Sequence, residues 1–199
     1  MADIRQQLHS DAADFDRSVR DYPGGRQDKE NDPKTFDGLW SRYEDLGEVG
    51  QIWSSMNRTE TLINFGLQLL YRNLKFEVTV DRHLQPKLEV IQKNKLFAES
   101  VLLDAKLKLF KIGYCEYFRQ TCEYENELAA FKSLRNIFAH CQISYAQAES
   151  TYYLQDNYKD RVTLIPLPMY RDKVKEVLSK LFPELCASVS ELHRAAMRI

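Results

Sequence analysis

The stretch Ser133–Gln142, SLRNIFAHCQ, gathers a guanidinium, a carboxamide and an imidazole within two turns of what otherwise reads as a buried helix. A helix that only packs does not need three strong hydrogen-bonding side chains so close together, so Arg135, Asn136 and His140 either serve chemistry or bind something structural. The same residues also admit a structural reading. Arg135 would then pair with an acid such as Glu125 or Glu127, and His140 would cap a helix end.

The helix that carries them decides where they point. At about 100° per residue, Leu128, Ala130, Phe131, Leu134, Ile137, Phe138 and Cys141 fall on one broad half of the segment 128–141, which is the core face. Asn136 and His140 lie about 40° apart on the opposite half, with Lys132, Ser133 and Ala139. Arg135 stands at the boundary, where its long side chain can swing toward them. The three are therefore expected to meet outside the core.

Composition bounds what such a site can do. The chain has 199 residues, long enough for one domain with a sizeable core, and 44% of them are hydrophobic. Lys and Arg number 28 against 29 Asp and Glu, a formal charge of −1, so there is no general attraction to nucleic acid or anionic lipid and any RNA contact must use a local patch. The four cysteines, Cys115, Cys122, Cys141 and Cys186, show no C-x-x-C spacing, and the N-terminus lacks a secretory pattern. Reduced thiols in a soluble, cytoplasmic protein are expected, with no metal or cofactor. Cys115, Cys122 and His140 can be imagined around a metal, but no close ligand pair supports it.

Along the chain, residues 3–20 carry Ile4, Leu8, Phe15 and Val19 at helical spacing, and 21–38 combines prolines, glycines and charges with little to bury. The expected division is an N-terminal amphipathic helix and linker over 1–38, then one helical domain over 39–199. Within it, apolar periodicity predicts a helix over 39–74 that Gly47 and Gly50 break or bend. A short extended stretch, KFEVTV, is followed by a helix from Pro86 to about Gln92. Further helices are expected over 96–110, ending near Gly113, and over 116–141. Residues 150–168 predict a small β-hairpin turning at 157–160, a local appendage, and 170–199 a last helix kinked or broken at Pro183. The fold class is all-α, a bundle of four to six helices with a hairpin.

Arg135-Asn136-Ile137-Phe138-Ala139-His140, near the end of an amphipathic helix, resembles the signature of the HEPN superfamily, and most nearly its small stand-alone members, including relatives of the mannitol operon repressor. The resemblance covers about ten residues closely. It implies a helical bundle, often a two-fold dimer, and in many members a metal-independent endoribonuclease of toxin, defence or stress-response type. In these enzymes the ribose 2'-hydroxyl attacks the adjacent phosphate. His140 would move protons, Arg135 would hold the phosphate, and Asn136 would orient phosphate or imidazole. Some toxin members carry a tyrosine two residues after the histidine that a partner enzyme modifies; Gln142 stands there, which sets that form of control apart. The alternative is a non-catalytic module that binds a nucleotide, an RNA or a protein partner in a regulatory role.

Two secondary surfaces also admit function. Tyr152, Tyr153 and Tyr158 can stack on bases or cover the edge of a core, and Lys106, Lys108 and Lys111 can extend a phosphate-binding surface or form a solvated face.

Overall fold

The computed structural model describes residues 47–93, 102–146, 151–158 and 161–198. The expected arm and linker over 1–38, and the first residues of the helical domain, lie outside the described residues. Those described are mostly helical, with five α-helices and one small sheet.

Helix α1 (Gly47–Gln68) starts at Gly47, whose φ of 72° is the left-handed geometry glycine adopts without strain. Gly50 lies inside the helix and does not break it. Ile52, Met56, Thr59, Ile63 and Leu67 recur every three or four residues and form its buried stripe. The buried hydroxyl of Thr59 donates to the carbonyl of Ser55 at 2.9 Å. The helix widens into a π turn over Leu69–Asn73, with Leu74 N–H reaching the Leu69 carbonyl at 2.9 Å, and the chain turns away through Lys75 at φ 50°. Residues 76–80, expected to be extended, join no sheet; Val78 and Val80 lie against the core. Helix α2 (Gln85–Gln92) carries Pro86 in its first turn and buries Leu88 and Ile91.

Helices α3 (Leu103–Phe118) and α4 (Glu125–His140) divide the chain differently from the periodicity. Gly113 does not end α3 but lies within it, because a Cβ there would press on the Tyr71 ring, 2.9 Å from Cζ. Here glycine serves close approach. The helix ends at Arg119, left-handed at φ 55°, with Gln120 N–H bonded to the Cys115 carbonyl at 3.0 Å. The single helix expected over 116–141 is thus two elements separated by a polar turn in which Gln120, Thr121 and Glu123 are exposed.

After α4, strands β1 (Gln142–Ala146), β2 (Thr151–Tyr158) and β3 (Arg161–Pro166) form an antiparallel meander. The expected hairpin is β2–β3, Tyr158 pairing with Arg161; β1 is an addition. The sheet is more than an appendage. Leu154 pairs with Ile165, both are fully buried, and the sheet packs on α4 and on α5 (Leu167–Ala196), which follows β3 directly. Pro183 lies inside α5, which continues past it as one helix.

Cross-contacts fix the helix directions. Glu48 pairs with Arg171 and Gly66 lies against Val189, so α1 and α5 run in the same direction. Glu60 pairs with Lys106 and Gly66 meets Phe110, so α3 runs with α1. Helix α4 runs opposite to these: its Leu134 carbonyl receives the Tyr170 hydroxyl at 2.6 Å, while Tyr124, just before it, bonds Ser188 at 2.7 Å. The core between them holds Phe110, Phe131, Tyr170 and Phe182, each contributing about 1.5–3 kcal/mol by leaving water.

Candidate functional site

Leu128, Phe131, Leu134 and Ile137 anchor α4 to the core, with Ala130, Phe138 and Cys141 partly buried beside them, as the helical projection requires. That fixes its rotation. Asn136, Ala139 and His140 face solvent, and His140 is the last residue of the helix, where a cation suits the carbonyl ends.

Arg135 goes the other way. Its Nε lies 3.6 Å from Glu60 Oε2 on α1, and its Cζ lies 5.6 Å from the centre of the Trp53 ring, two turns earlier on the same helix. The guanidinium is thus held beside α1, while Asn136 and His140 are exposed on α4. The physical reason is that α1 offers it a carboxylate and an indole face. Its acid is neither Glu125 nor Glu127; Glu125 pairs with Lys111. The side chain remains 26% exposed.

Glu60 also receives Lys106 Nζ at 2.9 Å, and this lysine is 4% exposed. One carboxylate thus links α1, α3 and α4 through two cations. Lys108 pairs with Asp104, which also takes Lys132 at 2.8 Å; these hydrogen bonds, Lys132 first, hold the Asp104 carboxyl below its usual range. Lys106, Lys108 and Lys111 are each paired with an acid, Glu60, Asp104 and Glu125 respectively.

Trp53, an apolar residue of α1, is 43% exposed. Its ring stacks on Phe138 at 6.0 Å, and Phe138 stacks on the buried Tyr170 at 5.8 Å. Neither Trp53 nor Glu60 is marked by the local sequence as part of the site. The signal was the seven-residue spacing between them on α1, which places both on one helix face, but nothing in the chain says that this face meets Arg135.

The cysteines stand apart from the motif. Burial is the main cause that pushes the Cys122 thiol up to about 11 and also raises Cys115 and Cys141. Among the described residues no three His, Cys, Asp or Glu side chains gather as metal ligands. Tyr152 is exposed on the sheet and Tyr153 half-buried. A groove of about 640 Å³ between α1 and α5, lined by Leu62, Asn64, Phe65, Pro183 and Val189 among others, includes none of the three motif residues. No described helix is long and apolar enough to cross a membrane.

Compared with protein-family models, with curated proteins and with solved structures, the chain finds no match.

Proposed function

We propose that Arg135, Asn136 and His140 are one half of the site of a metal-independent, HEPN-type endoribonuclease, completed by the same residues of a second copy. The reading is supported by one observation: Asn136 and His140 stand exposed on the outer face of α4, while the guanidinium of Arg135, still 26% exposed, is held beside Glu60. Scission by the 2'-hydroxyl needs a base on the attacking side of phosphorus and an acid on the leaving side. One histidine serves one of these. A two-fold pair that laid the exposed Asn136–Ala139–His140 face against its copy would supply two imidazoles and two guanidinia to one cleft.

In that cleft one His140 takes the proton of the 2'-hydroxyl as its oxygen bonds to phosphorus. The other gives a proton to the departing 5'-oxygen, leaving a 2',3'-cyclic phosphate and a 5'-hydroxyl. Arg135 holds the non-bridging oxygens through its Nη groups, while Glu60 fixes the guanidinium from behind. Asn136 orients phosphate or imidazole.

The non-catalytic reading also has an observation in its favour. Arg135 already has a structural role between Glu60 and Trp53. Single-stranded RNA incubated with the protein in EDTA, with the ends analysed, separates the two. Because His140 is exposed, His140→Ala should change stability by no more than about 0.5 kcal/mol and yet remove cleavage at least a hundredfold. Arg135→Lys, which keeps the charge but not the fork, should also lose most activity. No cyclic-phosphate ends from the wild type, or full activity in a folded His140→Ala protein, would reject scission and leave the regulatory reading.

A further inference from the structure

We propose that the exposed side of Trp53 is a stacking platform for an unpaired RNA base, adjoining the phosphate position at Arg135. This rests on the reading that the motif meets RNA. An indole is a large apolar group, and 43% exposure beside a guanidinium leaves much of it in water without an evident packing reason.

Three features suit it to a base. Among the described residues its ring contacts, Arg135 and Phe138, both come from α4 and lie three residues apart. The ring is backed by a column: Phe138 at an interplanar angle of 27°, then Tyr170, fully buried and bonded to the Leu134 carbonyl at 2.6 Å. A platform held this way loses little freedom when a base settles on it. Finally, Lys106, Lys132 and Lys111 are paired with Glu60, Asp104 and Glu125, and the chain carries a net charge of −1, so general phosphate attraction is weak. Stacking supplies what the charge does not. Phe65 and Tyr152 are similarly exposed, but Phe65 lies beside His193 and Tyr152 on the sheet.

The chain has two tryptophans, Trp40 and Trp53, so in a Trp40→Phe background the indole fluorescence reports on Trp53. The probe is a 2'-O-methyl oligoadenylate, which lacks the attacking hydroxyl and stays intact, compared with an abasic strand of equal length. Quenching is expected with the oligoadenylate and not with the abasic strand. Trp53→Leu should weaken oligoadenylate binding by about tenfold or more, Trp53→Phe by only a few-fold, and neither should change abasic-strand binding. Equal quenching by both strands, or unchanged affinity in Trp53→Leu protein that melts as the wild type does, overturns the platform. Base-dependent quenching without cleavage of ordinary RNA would keep the platform and reject scission; cleavage with an indifferent Trp53 would do the reverse.

Discussion

At the scale of single residues, the same physical cause separates groups placed for chemistry from groups that only pack. The cysteines show it most plainly. A thiol acts as a nucleophile only as thiolate, and burial disfavours the charged form, so the thiols of Cys115, Cys122 and Cys141 stay protonated through the neutral range. Cys141, next to His140 in sequence, donates its Sγ proton to the Phe138 carbonyl at 3.3 Å and does not join the motif. For an acid whose pKa is raised, the reactive form is scarce below the raised value and grows as pH passes through it. Iodoacetamide labelling of Cys122, followed by peptide mass spectrometry, should therefore be slow at pH 8 and rise steeply toward its value of about 11. Fast labelling at neutral pH would show an ionised, accessible thiol and contradict the burial. Glu60 is the complementary case. It is 18% exposed and shared by Lys106 and Arg135, which makes it a positioning residue at the junction of three helices.

Whole elements show where local pattern is informative and where tertiary contact overrides it. Gly113 reads from sequence as a helix end, but its lack of a side chain is used against Tyr71, whose hydroxyl is tied to the Leu109 carbonyl at 2.7 Å and cannot swing clear. Gly113→Ala should thus cost about 1–3 kcal/mol through overpacking, measured by urea unfolding. In a Tyr71→Phe background the cost should fall, because the hydroxyl the new methyl meets first is gone; additive effects would mean that the contact is unimportant. The core face of α4 was legible because Leu128, Phe131, Leu134 and Ile137 repeat with the helix period, and so was the outward side of Asn136 and His140. The direction of Arg135 was not legible, because it depends on Glu60 and Trp53, more than seventy residues earlier. Strand β1 was missed for a similar reason: the five residues QISYA become a strand by pairing with β2, Ile143 against Leu154, and carry too short an alternation to stand alone.

At the scale of the whole molecule, three helices run one way and α4 runs against them, and Asn136, Ala139 and His140 on the outer face of α4 are exposed. A composite site on that face makes a quantitative demand that a site within one chain does not. If each cleft needs an imidazole from both copies, a wild-type chain paired with a His140→Ala chain is inactive. Random exchange then leaves activity proportional to the square of the wild-type fraction. Equal amounts of the two proteins, mixed at constant total concentration and allowed to exchange, should cleave RNA at about a quarter of the undiluted rate. A site that needs only its own histidine would give about half, because each wild-type chain would work whatever its neighbour. Sedimentation at the same concentrations checks that pairs form, and a linear fall in rate with the wild-type fraction, with pairs present, would place both proton transfers within one chain.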